Sequence, residues 1–165
     1  MNTGQMLMTI GAMILLSTLI LRVNNNFGTN TTTVYNSKFA ILAASIGNSI
    51  IEEASGKSFD EETFNSPAKK LSDLTQPDEL GPESGETYPD FNDVDDYNGY
   101  TKIDSTMPSA VFKISCTVVY VNPATPDVTS KNARTWTKKI SVTITSPSMT
   151  DTVKLSSLYS YWVFN

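Results

Sequence analysis

The chain has 165 residues, of which 18% are charged, and its formal net charge at pH 7 is −5. This length fits one domain, with or without an appendage, and the acidic balance excludes the basic surface that nucleic-acid binding requires. The sequence contains no histidine and a single cysteine, Cys116, which removes the commonest general base, the commonest zinc ligand and an internal disulfide. We therefore predict a protein that is not an enzyme and has no cofactor and no nucleic-acid partner.

An uncharged apolar segment covers residues 6–21, with the sequence MLMTIGAMILLSTLIL. The chain has no ionisable side chain before Arg22, and the interruptions of the segment are small residues that suit lipid-facing or helix-packing surfaces. As a helix it would be about 24 Å long. That is slightly short of the roughly 20 residues of a lone membrane span.

Three interpretations of this segment compete. A cleaved secretory signal would begin with basic residues, and residues 1–5 contain none. A single-span anchor agrees with the composition. The third interpretation is a helix that lies first in the membrane and later packs against copies of itself in a polymer. The residues assigned to that assembly interface are Gln5, Met6, Leu7, Ile10, Met13, Ile14, Leu15, Leu16, Leu19, Ile20 and Leu21.

A helix break is predicted at residues 24–33, because NNNFGTNTTT is rich in residues of low helix propensity. Apolar residues then recur at intervals of three and four from Tyr35 to Ile50, which predicts a second, amphipathic helix over residues 35–55. We accordingly divide the chain into an apolar assembly or membrane helix, 1–27, and a globular extracytoplasmic domain, 28–165.

A long connection follows at residues 58–89, where scattered apolar residues, prolines and acids predict a surface-covering segment with at most one short helix near 68–74. An acidic run comes next. Its oxygen-bearing residues are weak candidates for calcium ligands, and they are Asp90, Asn92, Asp93, Asp95, Asp96 and Asn98. The spacing does not match the helix–loop–helix calcium motif. We therefore assign no metal and interpret the run as a solvated turn, with calcium binding as the alternative.

The last third of the chain alternates apolar and polar residues, which predicts strands over residues 111–121, 135–145 and 153–162. Cys116 falls on the apolar face of the first strand, so we predict a buried, unreactive thiol. The three strands predict an antiparallel meander whose apolar face needs a cover, and the amphipathic helix is available to provide it. The predicted fold class is α+β.

The order of these parts resembles that of type IV pilin-like proteins, including minor pilins and the pseudopilins of type II secretion. Three stretches carry the resemblance: SKFAILAASIGNSIIEEASGKSFDE at 37–61, DVDDYNGY at 93–100 and KKISVTITSPSMTDTVKLSSL at 138–158. The resemblance implies a pilin-like fold, in which an N-terminal apolar helix continues into a helix that packs on a C-terminal antiparallel sheet.

For function, the resemblance implies a structural subunit of an extracellular filament that polymerises through its apolar helix. The implied partners are copies of the same chain and other pilins, and the subunit would reside in the cell membrane before assembly and on the cell surface afterwards. Members of the family usually carry a glutamate fifth from their processed end, a position that Gln5 occupies when Met1 is counted first. The alternative is a single-span membrane anchor that carries an extracytoplasmic β-domain acting as a binding module.

Overall fold

The computed structural model describes residues 2–130 and 133–163. A helix, α1, runs over Thr3–Ser55, and a short helix, α2, over Glu61–Asn65. The strands are β1 at Thr101–Asp104, β2 at Phe112–Asn122, β3 at Thr125–Thr129, β4 at Thr137–Thr145 and β5 at Val153–Ser160. Single 3-10 turns lie at Leu71–Asp73, Asp95–Tyr97 and Tyr161–Val163. The long N-terminal helix and the sheet that follows it place the chain in the α+β class.

The predicted break at residues 24–33 is wrong, because α1 is helical from Thr3 through Ser55. Two threonine hydroxyls in this region form hydrogen bonds with the preceding turn of the helix. Thr31 Oγ1 donates to the carbonyl oxygen of Phe27 at 2.9 Å, and Thr32 Oγ1 donates to that of Gly28 at 3.1 Å. Each poor helix former costs only a few tenths of a kcal/mol, whereas a new helix must be nucleated again at a larger cost. The predicted second helix is therefore the C-terminal part of α1.

The chain forms two compact units, Met1–Lys38 and Phe39–Asn165. The sequence-based boundary between residues 27 and 28 lies inside the first unit. The second unit begins where α1 first buries a side chain against the sheet, at Phe39.

Within the described residues, the strands form one antiparallel sheet of five, in the order β1-β2-β4-β5, with β3 paired to the end of β2. The predicted pairing of the three long strands is confirmed, since Cys116 on β2 lies opposite Val142 on β4, which lies opposite Leu155 on β5. The prediction missed β1 and β3. Both are short, and β3 contains Pro126 and follows Pro123, residues that are typical of turns.

The C-terminal part of α1 covers one face of this sheet. Phe39, Ala43 and Ala54 are buried in the same apolar cluster as Ile114 and Val142, as the amphipathic pattern predicted. Gly47 allows the close approach: a Cβ at this position would lie 2.7 Å from Leu155 Cδ1 and 3.0 Å from Ile144 Cδ1. Helix and sheet therefore bury each other's apolar faces.

The connection between α1 and the sheet has its own apolar anchors. Phe59, Leu74 and Leu80 pack with Tyr120 and Tyr161 in a second cluster. Asp60 caps α2 by accepting a hydrogen bond from the backbone N–H of Glu62 at 3.3 Å. The connection covers the sheet as expected, but its helix lies at Glu61–Asn65, and the predicted position near 68–74 contains a single 3-10 turn.

Candidate functional site

The first unit carries an exposed apolar segment, residues 6–21 of α1. Its large apolar side chains are between 49% and 80% exposed, with Met6 the least and Met8 the most exposed. The apolar residues that we assigned to an assembly interface all belong to this set, and they are Met6, Leu7, Ile10, Met13, Ile14, Leu15, Leu16, Leu19, Ile20 and Leu21. A helix that is apolar on all sides requires an apolar environment, either lipid or other protein.

The polar side chains of this segment are satisfied inside the helix. Thr9 Oγ1 donates to the carbonyl oxygen of Met6 at 2.9 Å, Ser17 Oγ to that of Met13 at 2.8 Å, and Thr18 Oγ1 to that of Leu15 at 2.9 Å. Hydroxyls bonded to the preceding turn do not need water. The segment can therefore be buried without leaving a side-chain hydroxyl unpaired.

The described part of the chain has one helix, α1, that is long and apolar enough to cross a membrane by length and composition. Core helices and signal sequences meet the same two criteria, so this property is weak evidence for a span. Gln5 lies in the first turn of α1, where its backbone N–H donates to the carbonyl oxygen of Asn2 at 2.8 Å. Its exposed side chain is neutral and cannot neutralise an ammonium group.

The acidic run in the second unit differs from its predicted form. The interpretation as a solvated turn is wrong, because Asp93, Asp95 and Asp96 have exposed fractions of 0%, 1% and 0%. The burial follows from the 3-10 turn Asp95–Tyr97, which places Val94 and Tyr97 in the apolar core. A local pattern of acids predicts solvent exposure, but the apolar residues between the acids draw the segment inward.

The other candidates of the run have different roles. Asp90 is exposed. Asn98 braces the backbone, since its Nδ2 donates to the carbonyl oxygen of Leu80 at 2.8 Å and its Oδ1 accepts from the N–H of Val118 at 3.0 Å. Asn92 is partly buried, and its Oδ1 has no hydrogen-bond partner among the described residues.

Five carboxylates form what we call the acidic cluster: Glu61, Glu83, Glu86, Asp93 and Asp96. In one group, oxygens of Glu61, Glu83 and Asp93 lie within 4.8 Å of one another, and in a second group oxygens of Glu83, Glu86 and Asp96 do the same. The sequence predicted two of these residues, Asp93 and Asp96. The three glutamates come from α2 and the connection, and no local spacing links them to the acidic run.

Three of these carboxylates, Glu83, Asp93 and Asp96, have raised pKa values, and the largest cause in each case is burial. Partial burial, followed by a hydrogen bond with Glu86, raises the pKa of Glu83 to about 7. Burial, followed by the charge of Asp95, raises the pKa of Asp93 to about 10. Burial also raises the pKa of Asp96 to about 6, against the lowering effect of two backbone hydrogen bonds. Negative charge is thus costly at this place.

Lys138 is a buried cation that sequence analysis missed. Its Nζ donates to Asp60 Oδ2 at 2.8 Å, to Asp95 Oδ1 at 2.5 Å and to the carbonyl oxygen of Phe59 at 2.8 Å. The signal was present, because the alternation in β4 places Lys138 on the same face as Ile140 and Val142. A lysine on an apolar face requires carboxylate partners.

Comparison with models of protein families, with curated proteins and with solved structures finds no match to this chain. Its function is therefore inferred from the residues and contacts described above.

Proposed function

We propose that this protein is a structural subunit of an extracellular type IV pilus-like filament and that it polymerises through residues 5–21 of α1. The observation that carries the proposal is the exposed, uncharged apolar segment whose hydroxyls are bonded within the helix. The α+β unit that follows, with the end of α1 packed on an antiparallel sheet, supports it. This order of parts is that of the pilin-like proteins that the sequence resembles.

The energetic argument rests on burial. Removing a leucine or isoleucine side chain from water contributes about 1.5–3 kcal/mol, and the segment exposes several such side chains in a row. In the membrane, lipid covers them and holds the subunit before assembly. In a filament, copies of the same segment cover one another, and head-to-tail contacts that do not close produce an open helical polymer. Other pilins with a similar helix are further candidate partners.

The alternative function uses the same segment differently. A permanent single-span anchor would keep the apolar side chains in lipid, and the β-domain would then act as a binding module. The two functions predict different behaviour when lipid and detergent are removed. Only a filament subunit is expected to bury its apolar segment in an ordered polymer with other copies of the chain.

The experiment uses full-length protein purified in detergent, from which the detergent is then removed by dialysis. We expect thin filaments in negative-stain images and a fraction that sediments at high speed. Leu15→Asp and Ile14→Asp should abolish both, since a lone carboxylate in an apolar bundle is costly. Val128→Asp is the matched control, because Val128 is 66% exposed on β3, and it should leave filaments intact.

A thermal melt of each variant in detergent accompanies the images, to verify that the sheet unit is folded as in the wild-type protein. Recovery of the folded wild-type protein only as one chain per micelle, or as amorphous aggregate, would overturn the filament proposal. The micellar monomer would favour the anchored binding module.

A further inference from the structure

We propose that the acidic cluster, formed by Glu61, Glu83, Glu86, Asp93 and Asp96, is a binding site for Ca²⁺. The cluster is assembled from two segments: the connection contributes Glu61 on α2, Glu83 and Glu86, and the loop that precedes β1 contributes Asp93 and Asp96. The proposal does not depend on filament assembly, because all of these residues belong to the second unit.

Within the loop, Asp93 and Asp96 each accept backbone hydrogen bonds through only one of their two carboxylate oxygens. Asp93 Oδ1 accepts from the backbone N–H of Asp95 at 2.7 Å and of Asp96 at 3.1 Å. Asp96 Oδ2 accepts from the N–H of Asn92 at 2.8 Å and of Asp93 at 3.0 Å. These bonds hold both carboxylates in fixed orientations and leave one oxygen of each available.

The remaining oxygens are buried and unpaired. Asp93 Oδ2 and Asp96 Oδ1 are inaccessible to solvent and have no hydrogen-bond partner among the described residues, and the two aspartates are 0% exposed. Glu61 Oε2 and Glu86 Oε2 are in the same condition. Buried polar atoms are nearly always paired, so a set of unpaired carboxylate oxygens in one place indicates a ligand that bonds to oxygen.

Among the described residues, no lysine or arginine forms an ion pair with the cluster. The charge of the buried Lys138 lowers the pKa of Asp93, but its three N–H donors are engaged by Asp60, Asp95 and the carbonyl oxygen of Phe59. Burial, and after it the neighbouring carboxylates, raises the pKa values of Glu83, Asp93 and Asp96. A divalent cation would neutralise the carboxylates and restore their ionised form.

The chemistry of the donors selects calcium. Every available donor is an oxygen, which suits a hard cation and does not suit zinc. Ca²⁺ takes six to eight oxygens at about 2.3–2.6 Å, so two ligands on opposite sides of one ion are at most about 5 Å apart. The oxygens of each group lie within 4.8 Å of one another. Mg²⁺ requires a smaller, nearly ideal octahedron and retains its waters.

The test uses chelator-treated full-length protein in detergent, to which CaCl₂ is added in a calorimetric titration and in thermal melts. We expect saturable binding and a higher Tm, because a ligand that binds only the folded chain stabilises it. Glu83→Gln should weaken Ca²⁺ binding by about tenfold or more, since it removes the carboxylate shared by both groups. Glu62→Gln is the control, because the exposed Glu62 is outside the cluster.

The relative Tm of the wild-type protein and Glu83→Gln, with and without Ca²⁺, distinguishes a Ca²⁺ site from a cluster in which the carboxylates only repel one another. With chelator, Glu83→Gln should melt above the wild-type protein, because one repelling charge is removed. With saturating CaCl₂, the wild-type protein should melt above Glu83→Gln. Glu83 lies at an exposed position, so Glu83→Gln tests the proposal without disturbing the buried aspartates.

Three results would overturn the proposal: the absence of saturable Ca²⁺ binding, an equal rise of Tm with MgCl₂ or with NaCl of matched ionic strength, or an equal response of Glu83→Gln and Glu62→Gln to CaCl₂.

Discussion

The Nζ of Lys138 lies 2.8 Å from Oδ2 of Asp60, and neither side chain is exposed to solvent. Lys138 belongs to β4, and Asp60 caps α2 at the start of the connection. Asp60 also accepts hydrogen bonds from Tyr120 Oη at 3.0 Å and from Thr75 Oγ1 at 2.9 Å. Asp60 therefore links the connection to β4 through the ion pair and to β2 through the hydrogen bond of Tyr120.

Replacing Lys138 with methionine should destabilise the second unit strongly. The variant leaves two buried carboxylates, Asp60 and Asp95, without their cation. Loss of one partner from a buried ion pair costs about 3–5 kcal/mol. Denaturant unfolding in detergent, followed by tryptophan fluorescence, measures the loss.

Lys113→Met provides the matched control, because Lys113 is an exposed residue of β2. We expect its free energy of unfolding to stay within about 0.5 kcal/mol of the wild-type value. Equal losses for the two lysine variants would show that Lys138 contributes only its apolar stem.

The same ion pair should make stability depend on acid pH. Burial alone would raise the pKa of Asp60, but the charge and hydrogen bond of Lys138 and the hydrogen bonds of Thr75 lower it below the ordinary value of 3.8. The folded state then binds fewer protons at Asp60 than the unfolded state. The stabilisation is present above pH 3.8 and is lost as the pH falls through the folded pKa.

Thermal melts of the wild-type protein and Asp60→Asn across the acid range test this dependence. The difference in Tm should be largest near neutral pH and should shrink as the pH falls below 3.8, where Asp60 becomes protonated first in the unfolded chain and, at lower pH, in the folded protein. A difference that does not change with pH would contradict the assignment.

The thiol of Cys116 should be inert in the folded protein. Cys116 is 1% exposed, and burial raises the pKa of its thiol to about 12. At pH 8 it should not react with maleimide until denaturant unfolds the chain. Mass spectrometry of the adduct measures the reaction.

The double variant Cys116→Ala/Thr117→Cys is the control for thiol access, since Thr117 is exposed on the opposite face of β2. Its thiol should react before unfolding. Rapid labelling of Cys116 in the folded wild-type protein would mean that β2 opens locally.

Much of the fold could be predicted from local patterns. Alternation with period two correctly placed Ile114, Cys116 and Val118 on the buried face of β2, because side chains on a strand point to opposite sides in turn. The three-and-four spacing from Tyr35 to Ile50 likewise identified the face of α1 that contacts the sheet, although the contact begins only at Phe39 and Tyr35 is 54% exposed. Both patterns depend only on neighbours within a few residues.

Propensity alone failed at residues 24–33. The asparagines and threonines there favour a break one by one, but a helix that already exists on both sides continues through them at a small cost for each residue. The outcome depends on the cooperativity of the whole helix, which a sum of single-residue preferences does not contain.

The sequence by itself determined the apolar segment at residues 6–21 and the alternating strands, because hydrophobic periodicity is a local property. Only the tertiary structure decided that Glu61 and Glu83 lie beside Asp93, and that Lys138 forms an ion pair with Asp60, which is 78 residues earlier in the sequence. Such contacts arise when the apolar anchors of the connection pack on the sheet and carry the intervening acids with them. Burial, set by residues distant in sequence, then turned a run of acids that resembles a solvated turn into an enclosed group of unpaired carboxylate oxygens.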